Sequence, residues 1–208
     1  MRIVLSGPDG SGKSSLVKGL SLHFMQAGPV HVSWRRFGFV FARAFNLLAR
    51  QVGWSYYEQS SAGPVGYHDY KRPWSFLYIL LVWIDCVIII IPKWWMRDLF
   101  GSKETVIIDR FLFDIVADLI LSTHRPRAAL RLFDTILKRH RSRGKCVFLV
   151  CASETVYQRR PDVIWDKSYP EKVRTYTLLR RLYSVPSLRT DRLSPEESIK
   201  KVIQLCES

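Results

Sequence analysis

Short apolar runs recur along the chain, separated by segments of a different period. Residues 1–6, 30–34, 105–108, 146–150 and 187–189 read as five strands. Their apolar residues are contiguous rather than alternating, which suits strands covered on both faces. Between them the period changes. Leu16, Val17 and Leu20 follow helical spacing, and Gly28-Pro29 supplies a stop. Leu130, Phe133, Ile136 and Leu137 mark a second helix, over residues 127–138. Its basic tail, Lys138-Arg139-His140-Arg141, suits the negative end of a helix. Ser194-Pro195-Glu196-Glu197 opens a last helix with an N-cap, a proline at the first position and acids in the first turn. Strands alternating with helices predict an α/β fold: a mainly parallel five-stranded sheet with helices on both faces, in three layers.

Two segments depart from this rhythm. Residues 76–91 are almost wholly apolar, broken by Asp85 and ended by Pro92. They fall short of the ~20 apolar residues of a spanning helix, so a buried core helix is expected. Residues 34–74 carry a stripe of Phe41, Ala44, Phe45, Leu48 and Val52, with Arg43 and Arg50 off it. Trp54-Ser55-Tyr56-Tyr57, a Ser/Gly/Pro-rich loop at 60–66, and Tyr67-His68-Asp69-Tyr70 follow. Such dense aromatics fit either a lid or a membrane- or partner-facing patch; the plainer alternative is a core helix followed by a surface loop.

Composition sets outer bounds. The 208 residues suit one domain, 48% hydrophobic and 24% charged. A formal net charge of +14 favours anionic partners: nucleotides, nucleic acid or an anionic membrane. The four cysteines have no Cys-x-x-Cys spacing, so reduced thiols are expected and a zinc site is not. The chain begins directly with a strand pattern, so no leader is expected, and a cytoplasmic location follows, with peripheral membrane attachment as a variant.

The chemistry is concentrated at residues 7–14. Gly7-Pro8-Asp9-Gly10-Ser11-Gly12-Lys13-Ser14 completes a Gly-x-x-x-x-Gly-Lys-Ser phosphate-binding loop between a strand and a helix, with Ser15 next in line. Its glycines let backbone N–H groups converge on phosphates at a helix N-terminus. Lys13 is expected to reach the β- and γ-phosphates of ATP, and Ser14 to ligate Mg²⁺. Ile107-Ile108-Asp109 ends a strand in an acid, so Asp109 is the second candidate metal residue, and Arg110 stands next to meet anionic charge.

On these residues the chain resembles the thymidylate kinases. That family's Gly-x-Asp-Gly-x-Gly-Lys-Ser/Thr loop is matched by Gly7, Asp9, Gly10, Gly12, Lys13 and Ser14. Its Asp-Arg-aromatic signature is matched by Asp109-Arg110-Phe111. Arg35 falls where the family has its second-strand arginine; Arg159-Arg160 and Lys172-Val173-Arg174-Thr175-Tyr176 fall where it has its lid and following helix. The resemblance implies a single P-loop kinase domain over 1–208, with an acceptor-side insertion at about 37–75, a short lid at about 159–170 and a homodimer. It implies Asp9, Arg35 and Arg110 on the acceptor side, where Arg36 and Asp114 replace family residues, and Arg159 and Arg160 closing over ATP. Where the family has an Asp-Arg pair gripping a monophosphate, this chain has Asp85-Cys86.

The expected function is therefore ATP- and Mg²⁺-dependent phosphoryl transfer to dTMP or a related nucleotide. Two alternatives are a kinase of a glycan- or lipid-linked acceptor and a basic polynucleotide kinase or nucleic-acid binder. A guanine-nucleotide switch needs Asn-Lys-x-Asp, yet the only asparagine, Asn46, precedes Leu47.

Overall fold

The computed structural model describes residues 1–34, 40–60, 63–92 and 104–207. Strands β1 (Arg2–Ser6), β2 (Val30–Trp34), β5 (Thr105–Asp109), β6 (Lys145–Val150) and β7 (Ser187–Arg189) form one sheet in the order β2-β5-β1-β6-β7. All four pairings are parallel. These are the five strands expected from the apolar runs.

Alternation along each strand sends side chains to two cores. Ile3, Leu5, Ile107, Val147 and Leu149 face helices α1 (Lys13–Met25) and α8 (Pro195–Glu207). Val4, Val106, Ile108, Cys146 and Phe148 face the other layer. That layer holds α2 (Val40–Gln51), α3 (Trp74–Asp85), α4 (Leu112–Thr123), α5 (Pro126–Arg143) and α7 (Tyr169–Leu182). A short α6 (Ser153–Arg159) and a 3₁₀ turn (Pro161–Trp165) lie between β6 and α7, at the place of the expected lid. The N-cap expected for the last helix is present and closes as a capping box: Glu197 N–H donates to Ser194 Oγ at 3.1 Å and Ser194 N–H donates to Glu197 Oε2 at 2.7 Å.

The structure corrects the sequence reading in three places. The aromatic segment after Val52 is not a loop. Strands β3 (Ser55–Ser60) and β4 (Gly63–His68) pair antiparallel as a separate hairpin. Gly63, Pro64 and Gly66 disguise it, because they read as loop residues; cross-strand pairing of Tyr56 with Tyr67, ring centroids 5.8 Å apart, favours the strand form. Secondly, the apolar helix is buried on one side only. Tyr78, Ile79, Val82, Asp85 and Cys86 are buried, while Phe76, Leu80 and Ile88 are exposed. A helix can be apolar all round and still lie at a surface when one flank alone meets the core. After α3 it widens into a π-helical turn, Cys86–Ile90.

Thirdly, α2 does not bury its large apolar stripe. It turns the smaller residues Ala42 and Ala49, with Phe45, toward the core, and leaves Phe41 and Leu48 exposed. The start of α2 is fixed from another helix: the Asp85 carboxyl accepts the N–H groups of Phe41 (3.1 Å) and Ala42 (2.8 Å). An acid inside an apolar helix is thereby explained as an N-cap supplied in space rather than in sequence. All four cysteines are free and buried.

Candidate functional site

The site sits at the C-terminal edge of β1, β5, β6 and β7, where a parallel sheet presents its loops. Leu5 pairs with Asp109 in register, so the phosphate loop and the strand-end acid leave the sheet side by side. The loop is held closely. Gly10, at φ 76, lies under α6, and a Cβ there would come 2.5 Å from Val156 Cγ1. Gly7 approaches the backbone of β6 so that a Cβ would meet the Leu149 carbonyl oxygen at 2.6 Å. Both glycines are required by space, and Gly10 by backbone conformation as well. Thr190, just past β7, donates through Oγ1 to the Ser11 carbonyl at 3.0 Å. No sequence signal beyond its place after the last strand marked Thr190.

Lys13 begins α1 and curls back over the loop. Its Nζ donates to the carbonyls of Gly7 (2.6 Å) and Pro8 (2.7 Å) and to Ser11 Oγ (3.4 Å). Burial, then the charge of Arg110, lowers its pKa to about 8, although Asp114, Asp9 and Asp109 pull the other way. Asp109 is buried, and burial raises its pKa against the opposing pull of Lys13 and Arg110. Its Oδ1 is enclosed without a hydrogen-bond partner among the described residues. A buried, unsatisfied carboxyl oxygen next to a phosphate loop fits a cation or its water shell.

Arg110 adopts a left-handed backbone, φ 66, at the end of β5. Its guanidinium forms an ion pair with Asp9. Burial alone would raise the Asp9 pKa, but Arg110 and Lys13 outweigh it and hold the carboxyl well below its usual range. Burial opposes the charge on Arg110 too, and Asp9 overcomes it, raising the Arg110 pKa.

Asp114 is 2% exposed, with both oxygens occupied by protein donors. Ser6 Oγ (2.7 Å) and the Phe111 N–H (3.0 Å) donate to Oδ2; the Tyr176 hydroxyl (2.8 Å) and, more weakly, the Gly7 N–H (3.4 Å) donate to Oδ1. The structure therefore places this residue, expected among the acceptor contacts, in the framework joining β1, the phosphate loop, α4 and α7.

A cleft of about 490 Å³ opens over the loop, lined among others by Asp9, Lys13, Ser14, Arg110, Arg159 and Arg160. Arg159 is steadied from within, donating to the Thr190 carbonyl at 3.1 Å, with Cys151 Sγ at 3.8 Å. Arg160 instead pairs at the surface with Asp162, through Nε at 2.8 Å and Nη2 at 2.7 Å. Lys172, on α7, pairs with Asp166 at 2.6 Å and also acts electrostatically on Asp9. Sequence reasoning thus finds most of this wall; Arg35 and Arg36 lie outside the described residues. Among those described there is no cluster of three or more His, Cys, Asp or Glu able to hold a metal, and no helix long and apolar enough to cross a membrane.

No family model and no curated protein sequence matches the chain. Solved structures do. A YorR protein from Bacillus subtilis, in complex with phosphorylated GDP, superimposes with a TM-score of 0.53 at 16% identity, over 100% of this chain and 96% of its own. Thymidylate kinase from Ehrlichia chaffeensis gives 0.51 at 16%, over 100% and 98%. Deoxyadenosine kinase from M. mycoides with bound dATP gives 0.52 at 15%, over 100% of both chains. At such identities the likeness speaks for architecture, and it agrees with the sheet order and the loop geometry described above. The chain has the fold of the P-loop nucleoside monophosphate kinases, divergent in sequence from the solved structures it resembles.

Proposed function

We propose that the protein transfers the γ-phosphoryl group of ATP to dTMP or a related nucleotide acceptor. The observation that carries this reading is that Lys13 folds back over the phosphate loop while the buried, unsatisfied Oδ1 of Asp109 ends the strand beside it. Similarity to a thymidylate kinase, a deoxyadenosine kinase and a protein bound to phosphorylated GDP supports a nucleotide-handling kinase.

In this reading the loop N–H groups and Lys13 take the phosphates, which replace the carbonyl acceptors that Lys13 now uses. Ser14 and Asp109 would hold Mg²⁺, which supplies charge neutralisation across the β- and γ-phosphates. Arg159 stabilises charge on the transferred group, pre-set by its bond to Thr190, and Arg160 joins it by leaving Asp162. The Asp9–Arg110 pair orients the acceptor side. An acceptor oxygen attacks the γ-phosphorus as its bond to the β-phosphate oxygen breaks, and ADP departs. The protein supplies position and charge rather than covalent chemistry.

A second reading is a kinase of a non-nucleotide acceptor, glycan- or lipid-linked. It draws on Asp85 and Cys86. The acid is committed to capping α2 and the thiol is wholly buried, so neither grips a monophosphate. ADP release measured with Mg·ATP over dTMP, other nucleoside monophosphates, deoxynucleosides and lipid-linked glycans separates the two. The first reading expects turnover with a nucleotide; turnover confined to lipid-linked or glycan acceptors replaces it with the second. ATP binding without turnover on any of them overturns both.

A further inference from the structure

We infer that the face formed by α2, α3 and the π-helical turn docks on an anionic lipid bilayer. Phe41, Leu47 and Leu48 on α2, with Phe76, Leu80 and Ile88 beyond it, are 44–63% exposed. The two helices pack together, and Asp85, one turn before Ile88, caps α2 at Phe41, so the two apolar stripes approach each other at that corner. Large apolar side chains gathered on one face mark an interaction surface.

Charge selects the occupant. Helix α2 contains no acid, and the only acid in α3 and its π-helical turn is Asp85, which is fully buried. Exposed cations flank the face: Arg43 and Arg50 on α2, Lys71 and Arg72 before α3. The Arg125 guanidinium stacks 4.4 Å over the Phe76 ring at its edge. Among the described residues near it, Glu58 is paired with Lys167, Asp69 lies 3.9 Å from His124, and Asp118 of α4, which acts electrostatically on Tyr78, is half-buried. An apolar strip bordered by cations matches acyl chains bordered by anionic headgroups. A second copy fits less well. A two-fold contact sets the same patch against itself, bringing like-charged flanks together in a protein of net charge +14. Nucleic acid would satisfy the cations and leave the apolar side chains unrewarded.

Trp74, Tyr56 and Tyr57 are exposed nearby, residue types that favour the headgroup level. No helix among the described residues is long and apolar enough to cross, so the protein lies on the bilayer rather than through it. This inference does not depend on phosphoryl transfer.

The full chain is floated with vesicles of phosphatidylcholine and phosphatidylglycerol in equal parts, and with phosphatidylcholine alone. Binding is expected to the mixed vesicles, falling as salt is raised. Leu48→Glu with Leu80→Glu should cut the bound fraction roughly tenfold or more, with the circular dichroism of the wild type retained. If that variant misfolds, Arg43→Glu with Arg72→Glu should give a comparable loss. Wild-type protein that ignores the mixed vesicles overturns the inference. So does a dimer, seen by light scattering, that Leu48→Glu with Leu80→Glu dissociates, because the face then belongs to a second copy.

Discussion

The Tyr176 hydroxyl lies 2.8 Å from Oδ1 of Asp114, across 62 residues of sequence. The same carboxyl accepts Ser6 Oγ and the Phe111 N–H, so one buried group ties α7 to the end of β1 and the start of α4. Asp114→Ala would leave these donors buried without an acceptor, at a cost of about 3 kcal/mol or more. Tyr176→Phe removes a single donor and should cost about 1–2 kcal/mol. Urea unfolding midpoints test both. Equal stability of Asp114→Ala and the wild type would contradict the framework role.

Asp85 gives a local prediction. Asp85→Ala releases two N–H groups at the start of α2 and should cost about 1–3 kcal/mol. Hydrogen exchange at Phe41 and Ala42 should accelerate more than exchange in α1. Uniform acceleration across the chain would show a global effect instead of a lost cap.

Gly10 is constrained twice, by φ 76 and by Val156. Gly10→Ala should lower the melting temperature and weaken ATP binding. Adding Val156→Ala opens the space but leaves the backbone conformation, so about 1 kcal/mol of the penalty should persist. Full recovery in the double variant would mean that crowding alone sets the requirement.

Lys13 links the loop to pH. Its folded pKa, about 8, lies below the ordinary 10.5. Between those values the unfolded chain binds more protons, so this group's contribution to stability rises with pH across that window. Phosphate binding needs the charged form and runs the opposite way. ATP affinity should fall as pH rises past about 8, and at higher pH binding should take up a proton, visible in calorimetry across buffers of different ionisation enthalpy. Lys13→Met should lower turnover on the order of 10³-fold without lowering the melting temperature near neutral pH. Turnover equal to wild type would remove the central assignment.

By itself the sequence determined the five-stranded parallel sheet, the phosphate loop at 7–14 and the acid at Asp109. Each follows from a local pattern: apolar runs long enough for strands covered twice, and glycines placed where a loop must turn. Tertiary structure alone decided the rest. The residue string cannot show that Asp85 caps a helix that begins 45 residues earlier, or that Asp114 turns inward to Ser6 and Tyr176. Nor could periodicity tell which flank of a helix meets the core, because α2 hides Ala42 and Ala49 and leaves Phe41 and Leu48 outside. Hydrophobicity is written residue by residue, whereas burial depends on which surfaces the assembled layers leave uncovered.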